Sequence, residues 1–418
     1  MEQKLLKSVT PHETPTKSFR ETSQGIKLPS EFGIWIISGL WMVAIFGSSW
    51  VAQFKAGTID YFGSITMSAG IFSELTGWLP LAAEVSRGNL FPSEPSIGSG
   101  ASQLGFYPYI SVWVHGLFIA LFGVQGASFI GTTLFPIIAF FLLIKIYNRY
   151  LPTQWSISLA GVGLIGFVSL PFREFLASIT MGIGWRELGT TQNMEIAHFP
   201  MPAFSLTIFL FIFNLSIENK RLTIKNISPI TLLWALQLLI HPVNALLGLF
   251  FWFTAFPLRL IRQNQKKALI WHVQQITIQG LLAFIVMAPT LWAYYSLGQS
   301  NIGFTTLGFS QGKTEVEVFK AFYFIVYFAL PLLLLGSVYK IFRVDPYEVL
   351  IKFWPVLLMM SIEFLVVCFP QALSLNAPND LMFIRMGIFF LHFYYFVPFL
   401  YYVSRSSQQY HLASEKNQ

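Results

Sequence analysis

Glu363 interrupts the apolar run Phe353-Trp354-Pro355-Val356-Leu357-Leu358-Met359-Met360-Ser361-Ile362-Glu363-Phe364-Leu365-Val366-Val367. If that run lies in hydrocarbon, an ionisable side chain there costs roughly 3 kcal/mol or more. Such a group faces a partner or a cavity. Arg385 sits in the next apolar run, at a similar distance from the connecting loop 370–380, so the two charges reach similar depth on antiparallel helices. The spacing predicts an ion pair, either lining an external cavity or locking the two helices.

Three more groups stand out. Asp60 follows the first apolar run and opens a long segment, 53–105, that also holds Glu74 and Glu84. A partly desolvated carboxylate at a membrane surface can act as a general base on a hydroxyl or bind a divalent metal, and a loop acid or helix cap is the plainer reading. The stretch 173–198 gathers Arg173, Glu174, Arg186, Glu187, Glu195 and His198. Its two arginines can clamp a phosphate through charge-assisted hydrogen bonds, or simply neutralise the neighbouring glutamates. His241-Pro242-Val243-Asn244 puts two polar side chains where Pro242 breaks an apolar run, and such breaks border protein or water rather than lipid. His115 and His392 lie on apolar helices and are expected to be satisfied by neighbouring helices. No phosphate-binding glycine loop, nucleophile elbow or paired-histidine zinc motif occurs. The lone Cys368 excludes an intramolecular disulfide or a cysteine-built metal site.

The elements that must position these residues are apolar helices. Of the 418 residues only 11% are charged, while 54% are hydrophobic and 43 are phenylalanine. A soluble domain carries about 25% charged residues. Surface-to-volume scaling leaves too much of a chain this size in water to hide so many apolar groups. Several nearly uncharged runs are long enough to cross a bilayer. The fold class expected is an all-α polytopic transmembrane bundle of about eleven spans, with interfacial helices in the first external loop.

Residues 1–31 read as a polar, disordered tail, 32–403 as the membrane domain and 404–418 as a polar C-terminal tail. Candidate spans lie at 32–52, 106–122, 127–147, 154–172, 198–216, 229–240 with 243–258, 273–293, 320–339, 353–369 and 381–403. Apolar residues at helical spacing over 61–86 predict amphipathic helices in the interface, and 89–105 reads as loop.

The net charge of +7 comes from basic residues in short loops. That placement follows the positive-inside rule and argues against nucleic acid as the partner. Lys145/Arg149, Lys220/Arg221/Lys225, Arg259 to Lys267, Lys340/Arg343/Lys352 and Arg405 mark the cytoplasmic side; 173–197, 296–318 and 370–380 become external. The N-terminal tail and the 145–153 loop both carry inside-type charge, although three candidate spans separate them. Either 106–122 does not cross, or part of 61–86 crosses, or the tail is outside.

The order of these features resembles the GT-C superfamily of polytopic glycosyltransferases. The resemblance runs over about residues 32–260. It rests on Asp60 in the first external segment, on Leu90-Phe91-Pro92-Ser93-Glu94-Pro95, on Tyr107-Pro108-Tyr109 leading to Leu121-Phe122-Gly123, and on Leu238-Leu239-Ile240-His241-Pro242. The chain departs from that family in having a single acid at Asp60 where a pair is usual, and no large soluble domain after the helices. The resemblance implies an inverting transferase in a membrane, the bacterial plasma membrane being the commonest home, that takes a sugar from a polyprenyl-phosphate donor during polysaccharide assembly in the cell envelope. It makes Asp60 the general base, with Glu74 or Glu84 assisting, and Arg173 or Arg186 the holder of the donor phosphate. A transporter or flippase of lipid-linked glycan shares the span count, the Glu363–Arg385 pair and the broken helix. A membrane protein without catalytic activity would tolerate substitution at all of these positions.

Overall fold

The computed structural model describes residues 32–41 and 43, 79–92, 109–168, 203–218, 224–262, 269–299, 330–368 and 396–415. Among the described residues the chain is helical and has no strand. Among the described residues one helix, Phe129–Tyr147, is long and apolar enough to cross a membrane; shorter apolar helices include Tyr109–Val124, Phe204–Glu218, Ile227–Leu239 and Val273–Pro289.

In chain order the helices are α1 (Phe32–Trp41), α2 (Leu79–Ser86), α3 (Tyr109–Tyr147), α4 (Thr153–Val168), α5 (Ala203–Glu218), α6 (Ile224–Leu236), a 3₁₀ turn (Gln237–Leu239), and α7 (Pro242–Arg262). They continue with α8 (Leu269–Gln299), α9 (Leu330–Phe342), α10 (Pro346–Cys368) and α11 (Phe396–Glu415).

Helix α3 is two helices joined at Gly123, whose φ of 69° and ψ of 172° break the helical path. Positive φ is open to glycine at little cost because it has no Cβ. The bend returns the chain on itself. Phe118 stacks on Phe135 with centroids 6.1 Å apart, whereas a straight helix would hold them roughly 25 Å apart at ~1.5 Å per residue. The expected spans 106–122 and 127–147 are thus the two arms of this bend.

The larger core lies where α3, α5, α6 and α7 meet, and its bulk is aromatic. Phe209 meets Trp234 edge-on at 4.9 Å and Phe213 meets Phe251 at 4.9 Å. The two fully buried indoles of this core each find an oxygen for their N–H: Trp234 donates to the Ser216 hydroxyl at 3.0 Å and Trp252 to the Thr231 hydroxyl at 2.8 Å. Satisfying these donors is what lets two tryptophans be buried whole. Gly248 makes the α6–α7 approach possible, because a Cβ there would overlap the Trp234 ring. Helix α1 adds two ring stacks on the second arm of α3, Trp35 on Phe141 at 4.2 Å and Trp41 on Phe140 at 4.6 Å.

Two boundaries differ from the sequence expectation. Helix α10 begins at Pro346 rather than near 353, so Lys352 is helical instead of in a loop. Asp345 caps it, its carboxylate accepting the Tyr347 N–H at 2.9 Å, and Pro346 suits the first helical position. The kink falls at Phe353 (φ −106°, ψ 19°), two residues before Pro355, whose ring excludes the carbonyl one turn back. At the other end, α11 carries its helix through most of the expected polar tail, to Glu415.

Candidate functional site: the broken helix and the first arm of α3

The apolar run 229–258 divides where the sequence predicts. After α6 the chain tightens into the 3₁₀ turn, and the Ile240 and His241 N–H groups both donate to the Gln237 carbonyl, at 3.0 and 2.7 Å. His241 then caps α7. Its carbonyl takes the first helical bond from Ala245 at 3.0 Å, its ring Nδ1 accepts the Asn244 N–H at 3.4 Å, and Pro242 occupies the first helical position, where no N–H is needed. An Nδ1 that accepts leaves the neutral ring's proton on Nε2.

The first arm of α3 holds this turn from one side. The Ser111 hydroxyl donates to the Ile240 carbonyl at 2.8 Å, and His115, one turn further along the same face, is buried with it. Helix α5 holds the turn from another, since Gln237 Nε2 donates to the Ser205 carbonyl at 3.1 Å. Ile110, Val114 and Phe118 pack into the apolar cluster of Phe135, Phe204 and Ile240 beneath.

The opposite face of the same arm carries the end of the first long segment. Tyr109 and Trp113 lie about 200° round the helix from Ser111 and His115. Trp113 Nε1 donates to the Leu90 carbonyl at 2.7 Å, and Phe91 sits edge-on to Tyr109 at 5.6 Å and to Trp113 at 5.7 Å. Helix α2 precedes that contact. It buries Leu81, Ala82 and Val85 against Val112, Ile119 and Ala127, so its amphipathic face, expected within 61–86, is turned onto α3. Gly116 sets the approach: a Cβ there would stand 2.5 Å from Val85 Cγ1 and 2.8 Å from the Ala82 carbonyl.

The polar inventory at the break is incomplete in one respect. Asn244 is fully buried and, among the described residues, neither its Oδ1 nor its Nδ2 has a hydrogen-bond partner; the Gln237 Oε1 is likewise buried and without a partner among them. An orphaned buried polar group costs about 1–3 kcal/mol, so the unsatisfied atoms of Asn244 and Gln237 are an energetic cost carried by the break.

Of the residues singled out from sequence, His241 and Asn244 come together at the break. Glu84 lies on α2, where it pairs with Arg87 at 2.8 Å in an exposed contact. Glu363 falls on α10, and nothing is described of its side chain. Asp60, Glu74, Arg173, Arg186, Glu187 and Arg385 lie outside the described residues. Among the described residues no group of three His, Cys, Asp or Glu is placed to hold a metal ion. Ser111, Ser205 and Gln237 were not singled out. The only signal available was Gln237 standing in Leu236-Gln237-Leu238-Leu239-Ile240, a polar residue amid leucines.

No protein-family model, curated protein or solved structure matches the chain.

Proposed function

We propose that the chain is a polytopic membrane protein of about eleven spans and works as a GT-C-like glycosyltransferase on a polyprenyl-phosphate sugar at the external face. The observation that carries this reading is the double use of the first arm of α3. One face holds the amphipathic α2 and the Leu90-Phe91 segment, and the other holds the broken helix at His241. An interfacial helix and a broken helix gathered on one short arm suit an enzyme whose donor lies in the membrane and whose acceptor arrives from water. Exposed apolar faces support the membrane: on α8, Phe284 is 62% exposed, Ile285 65% and Trp292 71%. Water would oppose such faces and lipid would not.

In this reading the acceptor hydroxyl oxygen attacks the anomeric carbon and the bond from that carbon to the donor phosphate oxygen breaks. The hydroxyl proton passes to Asp60, and polyprenyl phosphate leaves with its negative charge held by Arg173 or Arg186. Glu74, Glu84 and Glu187 orient the sugar or the arginines. The arginines matter most, because charge on the leaving phosphate grows in the transition state.

Mass spectrometry of lipid and surface-glycan extracts tests this in cells lacking the chain, rescued with wild type or with Asp60→Asn. The reading expects polyprenyl-phosphate sugar to accumulate and the glycan to be under-decorated, with rescue by wild type alone. Full rescue by Asp60→Asn would remove Asp60 as the base. The transporter or flippase reading draws on the orphaned Asn244 and Gln237 groups at a helix break, a feature suited to a mid-membrane substrate site. It expects Asp60→Asn to rescue and Glu363→Gln to fail.

A further inference from the structure

Arg343 is the only residue other than glycine with positive φ among the described residues, at 51°. It directly follows the last residue of α9, the position where a left-handed residue ends a helix and glycine is usual. A side chain with a Cβ is strained there, so the arginine is kept against the backbone's preference.

The adjoining turns of α9, α10 and α11 carry cations and aromatic rings. Phe342, the preceding residue, stacks on Tyr402 at 6.0 Å and meets Phe399 at 6.4 Å, which brings the end of α9 to α11. Lys340 lies in the last turn of α9, Arg405 lies one turn beyond Tyr402, and Lys352 Nζ sits 3.6 Å above the Tyr401 ring. Lys340, Arg343 and Arg405 are exposed, and among the described residues none of them makes an ion pair. Among the described residues the nearby acids are Asp345, engaged in capping α10, and Glu348. Four cations against two acids leave a positive excess. The same two helices also carry exposed apolar side chains, Leu333 and Ile341 on α9 and Leu350 on α10.

We propose that the α9–α10 junction, with the start of α11's polar turns, is a binding site for the headgroup of an anionic phospholipid. Arg343 is its central contact, Lys340 and Arg405 flank it, and the acyl chains lie along Leu333, Ile341 and Leu350. The charge is complementary to a phosphodiester. The exposed aliphatic side chains favour a lipid over a free phosphate, which would leave them in water. Lys352 is held by Tyr401 and serves as a fixed second-layer charge. This inference rests on the membrane location proposed above, though not on the transferase activity.

The test uses the full chain purified from membranes. First, resistance of the chain to alkaline extraction checks the membrane location on its own; release into the supernatant would sink that reading separately. Next, thermal stability in neutral detergent is followed as phosphatidylglycerol, phosphatidylcholine or glycerol phosphate is added. The expected result is a salt-sensitive stabilisation by phosphatidylglycerol only. Arg343→Gly should keep or raise the melting temperature without lipid, since it relieves the backbone. It should also weaken retention of phosphatidylglycerol about fivefold by native mass spectrometry, as expected for one basic residue at a membrane surface, while Arg343→Lys keeps most of it. Equal stabilisation by both lipids, stabilisation by glycerol phosphate alone, or full retention by Arg343→Gly and by an added Lys340→Gln/Arg405→Gln change would each overturn the proposal. Loss of folding by Arg343→Gly in detergent would overturn the strain argument on which it stands.

Discussion

The Ser111 hydroxyl reaches the Ile240 carbonyl at 2.8 Å across 129 residues of sequence. The 3₁₀ turn and the cap at His241 leave that carbonyl beyond the regular helical ladder, so the serine satisfies a group the break itself freed. Serine in the first turn of an apolar helix is therefore a structural link between the first arm of α3 and the broken helix.

Ser111→Ala should lower stability by about 1 kcal/mol, the usual worth of one interhelical hydrogen bond including its orphaned acceptor. Thermal unfolding of the detergent-purified chain reads this. An unchanged melting temperature would mean that water or another donor replaces the hydroxyl.

Asn244 predicts the opposite sign. Its amide is fully buried and, among the described residues, without a partner, so Asn244→Leu removes a desolvated polar group with no change in the number of heavy atoms. The change should raise stability by roughly 1 kcal/mol and abolish whatever ligand handling the break performs. Melting temperature and the cellular glycolipid profile are measured on the same variant. A stabilised protein that still rescues the cells would make Asn244 dispensable, and a destabilised one would mean that its amide has a partner.

Much of this layout was legible in the sequence for plain reasons. Helicity followed from long apolar runs, the bend in α3 from the gap between two such runs, and the broken helix from His241-Pro242 inside a run too long for one span. Proline and glycine act on the backbone locally, so they can be read without knowing the neighbours. The partners could not be read this way. Nothing local pairs Ser111 with Ile240, or Gln237 with Ser205, because those contacts depend on how far the chain turns at Gly123. The start of α10 differs for a related reason. With Lys340 and Arg343, Lys352 reads as a cytoplasmic loop charge, whereas it is helical and its ammonium rests on the Tyr401 ring of another helix.

Two helical glycines separate propensity from packing. Glycine to alanine in a helix interior ordinarily gains about 0.5–1 kcal/mol. Among the described residues no atom lies near the missing Cβ of Gly280 on α8, so Gly280→Ala should show that gain. At Gly248 the Trp234 ring fills the space, and Gly248→Ala should instead cost about 1–3 kcal/mol through overpacking. Unfolding of both variants side by side gives the sign; matching signs would refute the α6–α7 contact.

Gly116 ties the amphipathic α2 to the arm that carries the break. A Cβ at 116 would meet Val85 Cγ1 at 2.5 Å, Val85 Cβ at 2.6 Å and the Ala82 carbonyl at 2.8 Å. Gly116→Ala should therefore push α2 outward at a cost of about 1–3 kcal/mol. Val85→Ala alone loses a buried contact and should cost about 1 kcal/mol. Combined, the two should cost less than their sum, because the shortened side chain at 85 leaves room for the new methyl, although the Ala82 carbonyl still obstructs it. Glu84→Gln serves as the control. Its pair with Arg87 is exposed, so it should move stability by less than about 0.5 kcal/mol. Proteolysis between Arg87 and Tyr109 reads the displacement directly: Gly116→Ala should cut faster, the double variant more slowly than Gly116→Ala, and Glu84→Gln like wild type. Strict additivity of the two changes would mean that α2 does not seat at Gly116, and the short arm of α3 would then lose its role as the platform shared by α2 and the broken helix.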